Sequence, residues 1–268
     1  MVYCLGKQIR CRDMTEHLAR SLRQYTSARV GLERAGSGLA TREVLAFQMA
    51  HAQARDAVHA ELDVSSILSG LRERGMLCCA LKSAAADRAS YLRHPELGRQ
   101  LDRTSAATLV AAPCDIVIVI ADGLSALAGA RHALPLLDEL LPLLNNRWSM
   151  GLVCIVEQGR VAIGDAIGAA LQAKMSLVLI GERPGLSSPD SLGAYITWEP
   201  RPGRTDSERN CISNVRPEGL EYAVAARMLA FYIQEALQQR LTGTKLKLAG
   251  NFENRRSVDS LPDAGLSK

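Results

Sequence analysis

Residues 116–125 read IVIVIADGLS, an apolar run that ends in a polar, glycine-bearing turn. Two further runs end in the same way, GLVCIVEQGR at 151–160 and SLVLIGERPG at 176–185. Short runs of Val, Ile and Leu without polar alternation are typical of parallel strands that are buried on both faces. Because ligands of open α/β sheets bind beyond the carboxyl ends of such strands, the three turns indicate where a site lies.

Helical stretches at 126–144 and 161–173 separate these strands, and strands that alternate with helices predict an α/β fold with a doubly wound, mostly parallel, Rossmann-like sheet. We expect Pro135 and Pro142 to kink or divide the first of these helices. A further strand is predicted at 193–198, then an ordered proline-rich loop at 199–204 and a last helix at about 217–240.

The region before the sheet is predicted to be helical from Thr15 to about Leu101, with no strand signal. Helices are expected at 15–25, at 42–59 and at 81–92, and the glycines between Val30 and Ala40 indicate an irregular arm. The predicted organisation is a helical N-terminal arm and subdomain over 1–104, a Rossmann-like domain over 105–248, and a polar, disordered tail over 249–268.

Composition limits the class of protein. The chain has 268 residues, of which 47% are hydrophobic, and it lacks an apolar run long enough to span a bilayer. Seven cysteines without paired spacing predict reduced thiols and a cytoplasmic location. The first thirty residues hold six Lys or Arg against two acidic residues, but aromatic residues make up only 4% of the chain, so a solvated basic face is favoured over nucleic-acid binding.

Familiar catalytic and nucleotide-binding motifs are absent from the sequence. It contains no G-x-G-x-x-G, no G-x-x-x-x-G-K-[ST] and no H-E-x-x-H, so these fingerprints predict neither a dinucleotide nor a metal. Cys211 follows the proline-rich loop, where Arg209 would in principle lower a thiol pKa. Because no histidine occurs in 133–268, a nucleophilic Cys211 is disfavoured, and a small side chain that lets backbone approach a ligand is favoured.

Two carboxylates follow predicted strands directly. Glu182 stands where it would meet a bound ligand, and the alternative is an ion pair with Arg183 or Arg160. Asp122 also follows a predicted strand. It is either one turn residue among several or the cap of the helix that begins near Ser125.

Several motifs together resemble the small (light) subunit of ethanolamine ammonia-lyase, over roughly residues 26–247. They are AHAQARDAV at 50–58, ADGLSA at 121–126, QGRV at 158–161, GERPGLSSPDSL at 181–192 and RNCISN at 209–214. Several motifs in the right order are far more specific than one alone. About twenty residues at each end depart from the family pattern.

The resemblance implies an adenosylcobalamin-dependent lyase that converts ethanolamine into acetaldehyde and ammonia in ethanolamine catabolism. In that family a large barrel subunit binds substrate, and the small subunit covers the cobalamin from the other side. The family's cobalamin contacts fall on Val161, Glu182 and Cys211 of this chain, with no catalytic residue. The resemblance also implies a multi-copy hetero-oligomer in the bacterial cytoplasm, a setting that includes bacterial microcompartments.

Two alternatives stay open at this stage, a self-contained Rossmann-like enzyme and a non-catalytic structural subunit. The first needs its own acid-base groups, yet the histidines are confined to residues 17–132. The chain also lacks D-x-H-x-x-G, the motif by which many cobalamin domains present a histidine to cobalt, so we expect no axial ligand from this chain.

Overall fold

The structure of the protein is a computed structural model that describes residues 2–4, 7–9, 21–22, 25–26, 28–144 and 147–246. The helices in these ranges are α1 (Thr41–His59), α2 (Val64–Glu73), α3 (Arg88–Arg93), α4 (Arg103–Thr108), α5 (Ala126–Leu144), α6 (Ile163–Leu171) and α7 (Tyr222–Gln239). The strands are β1 (Val2–Cys4), β2 (Lys7–Ile9), β3 (Arg34–Ala35), β4 (Gly38–Leu39), β5 (Cys78–Lys82), β6 (Cys114–Ala121), β7 (Met150–Glu157), β8 (Ala173–Gly181), β9 (Leu192–Trp198) and β10 (Arg209–Val215). Within the described ranges, no helix has the length and apolar character that a membrane crossing needs.

A six-stranded sheet in the order β10-β9-β8-β6-β7-β5 forms the centre of the molecule. Strands β5, β7, β6 and β8 are parallel to one another. At one side of the sheet, β9 pairs antiparallel with β8, and β10 pairs antiparallel with β9. The prediction of a mostly parallel α/β sheet is therefore confirmed.

Helices cover both faces of this sheet, which explains the unbroken apolar run of β6. Alternate residues of β6 enter two separate cores: Ile116, Ile118 and Ile120 pack on the face that carries α5 and α7. Val117 and Val119 pack on the opposite face, beneath α6. Because both sets of side chains are buried, no position of the strand needs a polar residue.

The N-terminal region is only partly as predicted. The helix expected at 42–59 is confirmed as α1, but the absence of strands between Thr15 and Leu101 is wrong, since β3 and β4 form a small antiparallel pair and β5 joins the main sheet. The helix expected at 15–25 falls mostly outside the described residues. The division at residue 104 stays a prediction, and β5 means that a strand from before this point pairs with the sheet.

The helix expected at 81–92 is also wrong in its first half. Leu81 pairs with Val156 of β7 and is 2% exposed, so sheet pairing and burial override the helix propensity of the alanine-rich segment. Helix α3 begins only at Arg88, where the Asp87 carboxylate accepts a hydrogen bond of 2.7 Å from the Ser90 amide and caps the first turn.

Helix α5 runs through Pro135 and Pro142 as one helix. Of the two expected outcomes, a kink or a division, the division is therefore wrong, and the kink stays a prediction. Burial of Leu136, Leu137 and Leu140 against the sheet holds the helix together across the missing hydrogen-bond donors.

The later elements follow the prediction with shifted ends. The helix expected at 161–173 is α6, which ends at Leu171 and is followed by the capping residue Gln172 with a left-handed backbone. The strand at 193–198 and the loop at 199–204 are confirmed, whereas Arg209–Val215 form the unpredicted strand β10. The last helix begins at 222 and not at 217, and the tail at 249–268 lies outside the described residues.

Candidate functional site

The parallel strands end at one edge of the sheet, where the turns after β6, β7 and β8 meet. The Leu124 amide donates a hydrogen bond of 2.9 Å to the carbonyl of Gly181 at the end of β8. Gly123 has φ +57°, and a Cβ there would lie 2.2 Å from the same carbonyl oxygen. Only glycine fits this contact, so the glycine of the turn is explained by the close approach of two strand ends.

Asp122 connects the turn after β6 to the turn after β7. Its carboxylate is 2% exposed and accepts hydrogen bonds of 2.8 Å from the Gln158 amide and 3.0 Å from the Gly159 amide. The Arg88 guanidinium lies 3.4 Å away and donates to the carbonyl of Gly123 at 2.8 Å. Burial raises the pKa of Asp122 to about 6, against the opposing effects of the two amides and Arg88. Asp122 therefore acts as a structural brace between two turns.

The segment from Gln158 to Val161 is held from several sides. Arg160 donates its backbone N–H to the Gly98 carbonyl at 2.7 Å, and its guanidinium lies 4.1 Å from the centre of the Tyr91 ring. Val161 is half-buried and packs against the core beneath α6, just before that helix begins. These contacts fix the predicted site residue Val161 at the carboxyl end of β7.

Glu182 is half-buried, and other residues of this chain hold its carboxylate. Oε2 accepts hydrogen bonds from the Ser191 hydroxyl at 2.5 Å and the Asn214 amide at 3.1 Å, and Oε1 accepts one from the Ser213 hydroxyl at 2.5 Å. Within the described part of the chain, Glu182 forms no ion pair, so the alternative of a salt bridge with an arginine is wrong there.

The glycine at position 193 gives Glu182 its path across the sheet. Strand β9 lies between Glu182 and β10, and a Cβ on Gly193 would come within 3.1 Å of both Cγ and Oε1 of Glu182. Because glycine has no side chain, the glutamate lies across β9 and reaches the edge strand. The same Cβ would lie 3.1 Å from Cε2 of Tyr195, so Tyr195 flanks this path.

Cys211 lies on the exposed edge strand, opposite Tyr195 of β9. Partial desolvation raises the pKa of its thiol, with a further contribution from the negative charge of Glu182. The suggestion that Arg209 lowers this pKa is wrong, because the Arg209 guanidinium is buried and forms hydrogen bonds of 2.7 and 2.6 Å with Asp165. The surroundings of Cys211 favour a neutral thiol and not a nucleophile.

The three predicted site residues lie on the same face of the sheet, with Val161 and Glu182 at its carboxyl edge and Cys211 on the edge strand, three residue positions before that edge. Cys211 pairs with Tyr195 and Tyr195 pairs with Val178 of β8. Tyr195, Val178 and Val161 all pack on the core beneath α6. Only β6 separates β7 from β8, so the ends of these strands are about 10 Å apart at ordinary strand spacing.

Sequence reasoning missed the residues that hold Glu182. Ser191, Gly193 and Ser213 stand in or beside the motifs at 181–192 and 209–214. Neither motif indicates that Glu182 of the first contacts Ser213 of the second, 31 positions later. The signal that identifies them is strand pairing: Gly193 pairs with Ile180 near the end of β8, and β10 pairs with β9.

Comparison with known proteins gives a consistent result. The family model described as Ethanolamine ammonia-lyase light chain (EutC) matches residues 16–247. The chain is 54% identical to the ethanolamine ammonia-lyase small subunit of Azotobacter vinelandii over 241 residues, which cover 87% of this chain and 89% of the relative. It is 55% identical to that of Pseudomonas aeruginosa, over 84% of this chain and 85% of the relative, and 52% identical to that of Ralstonia nicotianae, over 88% and 90%. The chain belongs to the ethanolamine ammonia-lyase light-chain family and is a small subunit of an ammonia-lyase.

Proposed function

We propose that this chain covers one side of adenosylcobalamin at an interface with the large barrel subunit of ethanolamine ammonia-lyase, the enzyme that converts ethanolamine into acetaldehyde and ammonia. Val161, Glu182 and Cys211 contact the cobalamin in this proposal. The observation that carries it is the Glu182 carboxylate, which stands at a strand end, half-buried and with hydrogen bonds that orient it.

The chemistry of these residues fits such a group. Cobalamin presents a broad, largely apolar corrin edged with side-chain amides, so a site for it needs apolar surface and a few acceptors that are aimed at N–H groups. Val161 and Cys211 offer small side chains at the edge, and Glu182 offers carboxylate oxygens that accept from an amide. The three residues lie on one face of the sheet, and β7 and β10 are four strand spacings or about 19 Å apart, a span that a ligand as broad as cobalamin with its side chains matches.

In this proposal the chain binds and orients the cofactor and excludes water from it. The chemistry that adenosylcobalamin supplies when bound is homolytic cleavage of its cobalt–carbon bond. Glu182 accepts a hydrogen bond that orients the corrin, and Val161 and Cys211 cover it with apolar surface. The raised pKa of Cys211 keeps its thiol neutral. Substrate binding and proton transfer then belong to the large subunit.

We further propose that this chain donates no axial ligand to cobalt. His132, the last histidine of the chain, is buried on α5, and its Nδ1 lies 2.8 Å from the Tyr222 hydroxyl. Helix α5 packs on the face of the sheet opposite to the three site residues.

We also propose a cytoplasmic location. The five described cysteines are free thiols, as expected in a reducing compartment.

Reconstitution of the two subunits tests the proposal. We expect the purified chain alone to retain cobalamin weakly and to show no turnover of ethanolamine, and we expect turnover when the barrel subunit is added. Turnover by the chain alone would favour a self-contained enzyme and overturn the proposal. A complex in which substitution of all three site residues leaves cobalamin affinity unchanged would favour a purely structural subunit.

A further inference from the structure

Glu182 uses most of its acceptor capacity within this chain. Two carboxylate oxygens offer about four lone-pair positions. Oε2 receives the Ser191 hydroxyl and the Asn214 amide, whereas Oε1 receives the Ser213 hydroxyl. Among the described residues no second donor to Oε1 is found, so this oxygen keeps one acceptor position.

The groups that hold the carboxylate come from two different strands. Ser191 is 5% exposed and comes just before β9, and its carbonyl also accepts a hydrogen bond of 2.9 Å from the Glu182 amide. Ser213 and Asn214 are exposed and belong to β10. Since Gly193 leaves the space between these strands open, the carboxylate is fixed from both sides.

We infer that Ser191 and Ser213 are positioning residues that orient Glu182 so that Oε1 accepts a single N–H from a side-chain carboxamide of cobalamin. This inference rests on the proposed function and adds two residues and a specific atom to it. A glutamate side chain that is already ordered loses less conformational entropy when it binds a ligand, so a fixed carboxylate binds the amide more tightly than a mobile one.

The exposed position of Ser213 separates this role from a role in folding. If the Ser213 hydroxyl only satisfied the hydrogen-bonding capacity of Glu182 at the surface, a water molecule would replace it at little cost. Its removal is therefore expected to change the orientation of Glu182 more than the stability of the chain. The effect of Ser213 on cobalamin must also depend on the presence of Glu182.

A double-mutant cycle on the assembled complex tests this dependence, with equilibrium titration of cyanocobalamin as the measurement. We expect Ser213→Ala to weaken cyanocobalamin binding about three- to tenfold, the value of one lost hydrogen bond. In a Glu182→Ala background the same change is expected to alter affinity by less than about twofold, because the side chain that Ser213 orients is gone. Ser207→Ala serves as the matched control, since Ser207 is also exposed and its hydroxyl contacts Thr205.

A second pair of variants keeps the test valid if the alanine variant assembles poorly. Ser213→Thr keeps the hydroxyl and Ser213→Val removes it at nearly the same size, and both residues suit an edge strand. We expect the threonine variant to bind cyanocobalamin like the parent and the valine variant to bind it as weakly as the alanine variant.

The outcomes distinguish the inference from the proposed function. If Glu182→Gln leaves cyanocobalamin affinity unchanged, the Glu182 contact of the proposed function is wrong. If Glu182→Gln weakens binding but Ser213→Ala has no effect, or the same effect in both backgrounds, the positioning role is wrong and the Glu182 contact stands.

Discussion

Asp122 and Glu182 each follow a buried strand of the same sheet, but their surroundings differ. Asp122 is 2% exposed, and its oxygens face two backbone amides of the next turn and the Arg88 guanidinium. Glu182 is half-buried and receives two hydroxyls and one amide. The first carboxylate braces two turns, and we propose that the second binds a ligand. The comparison shows that a strand-end position does not assign a role, whereas the donors around the carboxylate do.

The largest effect that we expect from substituting either carboxylate is a loss of stability at Asp122. Asp122→Ala leaves two buried amides and the Arg88 guanidinium without their acceptor, so we expect the free energy of unfolding to fall by about 3 kcal/mol or more. Glu182→Ala, the matched truncation at the other carboxylate, is expected to cost less than about 2 kcal/mol, because water replaces the carboxylate at the exposed Ser213 and Asn214. Urea denaturation of the purified chain measures both, and equal losses for the two variants would contradict the assigned roles.

A second prediction concerns pH. Burial raises the pKa of Asp122 from 3.8 to about 6, so the folded protein holds a proton that the unfolded chain releases between these values. The contribution of this group to stability is therefore complete below about pH 4, and about 2–3 kcal/mol is lost as pH rises through 6. The measurement is the difference in unfolding free energy between the parent and Asp122→Asn, which has no carboxyl group to titrate, from pH 4 to 7. We expect the parent to lose stability relative to Asp122→Asn as pH rises. A parent whose stability relative to Asp122→Asn stays constant or increases toward pH 7 would give the contrary result.

A third prediction replaces the Glu182 carboxylate, which only accepts hydrogen bonds, by an amide that also donates them. In the assembled complex, Glu182→Gln is expected to weaken cobalamin affinity by about 1.5–3 kcal/mol, or ten- to a hundredfold, as a charge-assisted hydrogen bond is lost. Cobalamin derivatives in which one side-chain carboxamide is hydrolysed to a carboxylate extend this test. The parent should reject the derivative that is altered at the contact, because two carboxylates repel, and Glu182→Gln should reject it less. An identical ratio of affinities in both proteins, for every such derivative, would argue against the contact.

The smallest effect is expected at Cys211. Its thiol pKa is raised by partial desolvation and by the nearby Glu182 charge, and we assign no thiolate chemistry to it. Cys211→Ser should therefore retain turnover in the complex, within about twofold, as a small change in contact surface implies. Loss of turnover in a correctly assembled complex would show that the thiol has a chemical role.

The central strands were predictable because burial on both faces leaves a simple pattern. Each residue of β6 from Ile116 to Ala121 is buried, and the run is unbroken in the sequence. The edge strands lack this pattern. Strand β10 mixes buried, half-buried and exposed residues in no regular alternation and carries several polar side chains, and β5 combines two cysteines with a lysine that is exposed. Sheet pairing, which no local pattern encodes, decides their structure.

The candidate site was predictable to the same extent. The place of Glu182 at the carboxyl edge, directly after a buried strand, follows from the sequence. The path of its side chain across β9 to the edge strand does not. The contact with Ser213 depends on how β8, β9 and β10 align, and the space for it depends on Gly193. The role of Asp122 depends on Arg88, which comes from a helix that sequence reasoning placed differently.

The most direct test of the central claim is the structure of the assembled complex with cyanocobalamin bound. We predict that Oε1 of Glu182 lies about 2.7–3.2 Å from the nitrogen of a cobalamin side-chain amide, with Val161 and Cys211 against the same molecule. A structure in which Glu182 makes no contact with the cobalamin, or in which the three residues face separate surfaces of the complex, would contradict the account.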